Sequence, residues 1–215
     1  MFTKYLFLNS IQSEILKIQY SIQIGTVYAS NDTSQLREIV SKLSLDNLFL
    51  LLRNSDSADS SKILEEFVHE IFNAHPDVSA REIFADGARY LMHGEPNGAL
   101  EIFHSLLVDH PTYFECWNKI ATSHFLNGSM DDSLYATEQA LSFEARHYSA
   151  MAGLGLIRQT EGDVKGAVKA FSDCLDYSPW SMVSSTLSSC LDQMESKKSS
   201  REMPTGPSID NQERK

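Results

Sequence analysis

Apolar side chains recur at spacings of three and four residues along most of this chain, as they do on helices that bury one face. The pattern predicts two helices between Leu45 and Pro76, separated by a loop rich in serine and aspartate. It also predicts three pairs of helices between residues 80 and 181, and a last amphipathic helix over 182–197. The sequence therefore predicts an all-α protein.

A repeat runs through the three pairs. Gly94, Gly128 and Gly162 are evenly spaced, and a small residue recurs seven positions before each of them. Their period of about 34 residues is typical of helix–turn–helix units that stack into a continuous array. The predicted units are 80–113, 114–147 and 148–181.

The residues within these units resemble the tetratricopeptide-repeat family. Trp117 stands where the family favours tryptophan, and Leu154-Gly155 reproduces a Leu-Gly pair of the family. Ala99 and Ala167 fill the small-residue position at which the two helices of a unit cross, and the middle unit departs from the pattern with serine there. The resemblance implies an α-solenoid, in which antiparallel helix pairs stack into a right-handed superhelix. A narrower similarity is to a little-characterised bacterial and organellar subgroup of the family.

The chain on either side of the three units is less regular. The helix pair at 45–79 has the length of one repeat but lacks its small residues, and we interpret it as a degenerate repeat or a capping pair. The helix at 182–197 is expected to cover the last apolar surface of the array. Residues 198–215 are rich in serine, proline, glycine and charged side chains and are predicted to be disordered.

Residues 1–44 are predicted to form an amphipathic helix and a connector. The aliphatic stripe of this helix consists of Leu8, Ile11, Ile15, Ile18 and Ile22. Two interpretations stay open. The helix docks on the rest of the domain, or residues 1–24 are the targeting or anchoring helix of an organelle- or membrane-associated assembly factor. The predicted location of the protein depends on the same choice. A docked helix is consistent with the cytoplasm, and a targeting helix is consistent with the mitochondrion or plastid.

Short motifs predict where several helices begin. Ser79-x-x-Glu82 and Thr112-x-x-Glu115 have the form of capping boxes, which would satisfy free N–H groups at the start of a helix. Asp163 is expected to open the second helix of the third unit.

The resemblance also implies a binding groove, because the first helix of each pair lines the concave face of such arrays. The side chains expected there are mostly neutral or apolar, which suits an apolar or amphipathic segment of a protein partner. They are Phe84, Ala88, Leu91, Asn118, Thr122, Phe125, Ala152, Leu156 and Gln159. The leading hypothesis is therefore a non-enzymatic adaptor or scaffold. In the alternative, the N-terminal helix of the chain itself fills the groove.

One known use of the family is not expected here. Some members hold the acidic tail of a chaperone between lysine, asparagine and arginine side chains. Among the matching positions only Lys119 is basic, and it stands where asparagine would be needed. The other matching positions are Phe84, Ala88, Ser149 and Gly153.

Composition narrows the classes of function. The net charge of −11 repels phosphate backbones, so no nucleic-acid role is predicted. The three cysteines are far apart, which argues against a disulfide framework and a zinc site. No apolar stretch is as long as a membrane-spanning helix, which needs about 20 residues. Because the chain has no phosphate-binding glycine loop, nucleophile elbow or H-E-x-x-H motif, neither an enzyme nor a cofactor is predicted.

Overall fold

The computed structural model describes residues 43–55 and 57–202, and all regular secondary structure in these residues is α-helical. The predictions for residues 1–42 and 203–215, which include the aliphatic stripe, lie outside the described residues. The described helices are α1 (Leu45–Arg53), α2 (Ala58–Asn73), α3 (Val78–Met92), α4 (Pro96–Asp109), α5 (Phe114–Leu126), α6 (Met130–Phe143), α7 (Tyr148–Thr160), α8 (Val164–Tyr177) and α9 (Val183–Glu202).

Helices α3–α4, α5–α6 and α7–α8 are three pairs that stack in chain order. Within each pair the helices pack along each other, and α4 also contacts α5 while α6 contacts α7. Each unit thereby buries the apolar face that its neighbour exposes, as repeat arrays require. The predicted all-α array of helix pairs is confirmed.

In each unit the first helix ends at one of the evenly spaced glycines. Gly128 has a φ of 76°, a left-handed conformation that a residue without Cβ adopts freely. Its N–H donates to the carbonyl of Phe125 at 3.0 Å, and the N–H of Ser129 donates to the carbonyl of His124 at 2.9 Å. This is the Schellman arrangement, which satisfies the last carbonyl groups of a helix. The other two glycines have φ values of 75° and 79°. The repeated glycine of the sequence therefore marks the same left-handed turn in each of the three units.

Both predicted capping boxes are wrong. The side chain of Asp77 accepts the N–H of Ser79 at 2.8 Å, so α3 begins earlier than predicted and Ser79 lies inside it. No side chain caps α5, which begins after Tyr113, and the carboxylate of Glu115 bonds to His147 at the start of α7. The cap predicted at Asp163 is confirmed, since its carboxylate accepts the N–H of Gly166 at 2.9 Å.

The small residues of the repeat are the points at which the two helices of a unit touch. Gly155 faces the fully buried ring of Phe171, and a Cβ at position 155 would lie 2.3 Å from Phe171 Cε1. Gly87 faces Phe103 in the same way, with a corresponding distance of 2.5 Å. Carbon atoms pack at about 3.5–4.0 Å, so neither position has room for a methyl group.

Gly155→Ala is expected to lower the free energy of unfolding by about 1–3 kcal/mol, because the added methyl group overpacks a closed core. Gly153→Ala, in the same helix, is the matched control. No atom lies within 4 Å of its added Cβ, and alanine should raise stability by up to about 1 kcal/mol through its helix propensity. Urea denaturation measures both values. Equal stability of the two variants would contradict the close approach of Gly155 to the ring of Phe171.

The leading pair, which we define as α1 and α2, lies across the edge of the array where first helices begin and second helices end. Phe49 packs edge-on against Tyr148 and Tyr177, with ring centroids 6.5 and 5.7 Å apart. Phe72 packs edge-on against Phe114 at 5.0 Å. The leading pair is therefore anchored on the second and third units, whereas a further stacked repeat would be anchored on α3.

Polar contacts hold the leading pair in this position. Arg146 bonds to the carboxylate of Asp46, and its guanidinium lies 4.7 Å from the ring centroid of Phe49. The indole N–H of Trp180 donates to the carbonyl of Ser55 at 3.1 Å. These contacts join the start and the end of α1 to the loops after α6 and α8.

Helix α9 covers the end of the array that α8 would otherwise expose. Val183 and Leu187 pack on a cluster that contains Phe171, and Cys190 is fully buried in the same cluster. Leu191, the next residue, is 43% exposed. The contact face of α9 thus runs along Val183, Leu187 and Cys190.

Candidate functional site

A groove opens between α5 and α7, two first helices of the array. Side chains at spacings of three and four lie on one face of a helix, and this spacing brings the lining residues of each helix together. The groove is lined by Asn118, Ala121, Thr122 and Phe125 from α5, Ser133 and Thr137 from α6, and Ser149, Gly153, Leu156 and Ile157 from α7.

The groove is neutral, partly apolar and open at its centre. None of its lining side chains carries a charge. Leu156 is 39% exposed, and a Cβ at Gly153, one turn before it, would meet no atom within 4 Å. Thr122 is exposed and Ser149 is half-buried, so hydroxyl groups accompany the apolar surface. The arrangement can accept an apolar side chain and can hydrogen-bond a polypeptide backbone beside it.

A buried polar cluster next to the groove joins the start of α5 to the start of α7. Glu115 Oε2 accepts a hydrogen bond from His147 Nε2 at 2.7 Å, and Oε1 lies 3.0 Å from Lys119 Nζ. Because His147 Nδ1 accepts the backbone N–H of Ala150 at 3.4 Å, the imidazole proton lies on Nε2. Asn118 Nδ2 donates to Glu115 Oε1 at 3.4 Å. The cluster thereby orients a side chain of the groove.

The electrostatics of the cluster keep Glu115 ionised. Burial by itself would raise the pKa of Glu115, but the hydrogen bond from His147 and the charge of Lys119 outweigh burial and lower the pKa to about 2. Burial raises the pKa of the nearby phenols Tyr113 and Tyr148. Glu115 and His147 are 1% and 0% exposed, so a substrate in solution does not reach this acid–base pair.

Four of the nine predicted groove residues come together in this groove. They are Asn118, Thr122, Phe125 and Leu156. Regular helical spacing places them on the sides of α5 and α7 that border the groove, and these two helices contact each other. Their role in binding a partner stays a prediction.

The other five predicted residues lie outside the groove lining. Phe84 is 5% exposed and, with Leu91, packs in the core of the first two units. Ala88 is half-buried on α3. Ala152 packs against the cluster that the leading pair forms with α7, and Gln159 Nε2 donates to the cysteine sulfur of α9 at 3.6 Å. These side chains therefore pack in the core or contact neighbouring helices, and they do not extend the groove beyond α5, α6 and α7.

The contribution of α6 was missed by the sequence reasoning. Ser133 and Thr137 line the groove although second helices are expected on the outer face. The hydroxyl of Ser133 donates to the carbonyl of Ala121 at 2.8 Å, and the hydroxyl of Thr137 donates to the carbonyl of Ser133 at 2.8 Å. The available signal is the serine that replaces the small apolar residue of the other two units.

The fold defines a helical-repeat protein, and a neutral groove opens between two of its first helices. A TPR repeat-containing protein of Rhizobium etli is 25% identical over 138 residues, which cover 64% of this chain and 68% of that protein. The chain is thus similar in sequence to a tetratricopeptide-repeat protein and has the stacked helix pairs of that fold, and no protein-family model matches it.

Two solved structures are similar to this chain. The Sgt2 TPR domain from Aspergillus fumigatus has a TM-score of 0.55 at 18% identity, over 64% of this chain and 93% of that domain. The MamA protein has a TM-score of 0.46 at 16% identity, over 76% of this chain and 98% of that protein. At this sequence identity, the similarity to the Sgt2 domain shows a shared fold and nothing about function.

Two kinds of site are not seen in residues 43–55 and 57–202. In this part of the chain, no three histidine, cysteine, aspartate or glutamate side chains lie close enough together to hold a metal ion. None of its helices has both the length and the apolar character needed to cross a bilayer.

Proposed function

We propose that this protein is an adaptor that binds an apolar or amphipathic segment of a partner protein in the groove between α5 and α7. Tetratricopeptide-repeat folds are protein–protein interaction scaffolds, and this groove lies on the face that the first helices present. The observation that carries the proposal is the open space over Gly153, beside the exposed side chain of Leu156. An apolar side chain of a partner would fill that space.

The groove residues have distinct roles in this proposal. Leu156 and Phe125 supply apolar contact area for the inserted side chain. Asn118 is held by Glu115 through its amide nitrogen, so its carbonyl oxygen is left to accept a backbone N–H of the peptide. Thr122 donates its own proton to the carbonyl of Asn118 at 3.0 Å, and its hydroxyl oxygen can also act as an acceptor. Specificity would thus come from pocket size and from a few backbone contacts.

The proposed role is binding without catalysis. Glu115 and His147 have the chemistry of an acid–base pair, but both side chains are sealed in the core. Lys119, the one basic residue at the positions of the chaperone-tail clamp, is paired with Glu115 at 3.0 Å. This pairing supports a neutral segment, instead of an acidic tail, as the ligand.

Gly153→Leu is expected to weaken peptide binding at least about tenfold, or about 1.4 kcal/mol, because the new side chain would occupy the space that the ligand needs. A peptide ligand would first be selected from a displayed random library on the full-length chain. Isothermal titration calorimetry would then measure its dissociation constant for each variant.

Gly153→Ala is the matched control, since a methyl group leaves most of the space open; affinity within about threefold of the parent chain is expected, or less than about 1 kcal/mol. Circular dichroism would verify that both variants are folded. A folded Gly153→Leu chain that binds the selected peptide as tightly as the parent would refute the proposed site.

A further inference from the structure

The leading pair packs on the start of α7, the helix that lines one side of the groove. Leu43 is 8% exposed and belongs to the buried cluster that contains Tyr148 and Met151, at the start of α7. Ala152 packs against the same cluster. On α7, Ser149 next to Tyr148 already lines the groove. The polypeptide that precedes Leu43 is therefore joined to a core cluster that extends to α7, beside the groove.

The connector is long enough to reach every part of the groove. Residues 23–42 span up to about 66–72 Å when extended, at roughly 3.3–3.6 Å per residue. Helix α7 has 13 residues and is about 20 Å long at 1.5 Å per residue. Chain length therefore sets no barrier to contact between residues 8–22 and the groove.

The chemistry of residues 8–22 matches the groove. Their aliphatic side chains at helical spacing form the stripe defined in the sequence, and the groove is a neutral surface with apolar side chains. Residues 1–24 carry a net charge of +1, from Lys4, Glu14 and Lys17, whereas the rest of the chain carries −12. Opposite net charges favour the approach of this segment to the array.

We propose that residues 8–22 of the chain occupy the groove in the resting protein and act as an internal competitor of the partner segment. This inference rests on the proposed peptide-binding role of the groove. A tethered segment acts at an effective concentration in the millimolar range for a short flexible linker. A partner segment must displace residues 8–22 before it can bind. The partner therefore needs a higher affinity than it would for an open groove, and its binding depends on the release of residues 8–22.

The test uses a probe at Leu156 in the full-length chain. Leu156→Cys places a thiol in the groove, and the three natural cysteines are buried. The rate of maleimide labelling at position 156 then reports whether the groove is covered. Ile15→Glu with Ile18→Glu disrupts the stripe, and Ser10→Glu with Ser13→Glu adds the same charge on the opposite side of the predicted helix.

Labelling at position 156 is expected to be about ten times faster with the stripe disrupted than with the natural segment, and unchanged by the serine substitutions. Equal rates in all three chains would overturn the inference. Protection that grows with protein concentration would also overturn it, because a second copy would then be the occupant. The proposed function fails by a different result, a folded Gly153→Leu chain with undiminished affinity for the selected peptide, so the two failures are distinguishable.

Discussion

Glu115→Ala is expected to lower the free energy of unfolding by about 3–5 kcal/mol, because its buried carboxylate is the acceptor for one side chain and the ion-pair partner of another. His147 would lose its 2.7 Å acceptor in a site where it is 0% exposed, and Lys119 would lose its carboxylate. Chemical denaturation measures the loss. Glu161→Ala is the control, since Glu161 and Arg158 form a half-exposed ion pair whose loss should cost less than about 1 kcal/mol. Similar losses in both variants would show that the buried cluster is not what joins the starts of α5 and α7.

The same carboxylate should make stability depend on acid pH. Because the folded pKa of Glu115 is about 2, below the ordinary value of 4.5, its contribution is fully present above pH 4.5 and is lost as the pH falls towards 2. This loss is on the order of 3 kcal/mol. The pKa of Glu144 is also lowered: burial opposes the shift, and hydrogen bonds from Arg146 outweigh it. The difference between the parent chain and Glu115→Gln isolates the first group, and parallel stability curves from pH 5 to 2 would contradict the assignment.

Phe72→Ala is expected to lower the free energy of unfolding by about 3–5 kcal/mol, because it empties a fully buried ring position. The ring of Phe72 contacts Phe114 at 5.0 Å, His147 at 4.7 Å and Phe49 at 6.1 Å between centroids. The substitution should mainly weaken the packing of the leading pair against the repeat array. Hydrogen exchange monitored by mass spectrometry is therefore expected to show faster exchange in α1 and α2 than in α7 and α8.

Ile71→Ala is the matched control for this prediction. Ile71 is the neighbouring residue on α2 and is 38% exposed, so its truncation should change stability by less than about 1 kcal/mol. If Phe72→Ala instead accelerates exchange equally in all helices, the leading pair unfolds together with the array. It would then not be a separately docked element.

The repeat array could be predicted because its signals are local. A left-handed turn at Gly128 needs a residue without Cβ, and the contact of Gly155 with Phe171 needs a residue without side-chain volume. Such requirements fall on single positions and recur with every unit, so they are visible in the sequence. The two failed capping boxes show the limit of the same reasoning. Asp77 caps α3 two residues before Ser79, which therefore lies inside the helix, and Glu115 bonds to the buried His147 instead of to the start of α5.

The position of the leading pair had no comparable local signal. The apolar faces of α1 and α2 predict two helices with a buried side, but periodicity does not say which surface covers it. Phe49 and Phe72 find their aromatic partners in later units of the chain, at Tyr148 and Phe114. The cluster of Glu115 and His147 likewise joins residues that are 32 apart in the chain, at the starts of α5 and α7. Contacts of this kind depend on how whole units are placed.

The sequence by itself determined that this protein is an array of helix pairs, because turn geometry and helix crossing impose residue types at fixed spacing. It also determined that α5 and α7 present neutral side chains at helical intervals. Only the tertiary structure decided how much of that face remains open. Phe84 is drawn into the core, and Ala152 packs beside the leading pair. The space over Gly153 is left as a groove. The physical reason is that burial is a property of the packed neighbours of a side chain, and those neighbours come from distant parts of the chain.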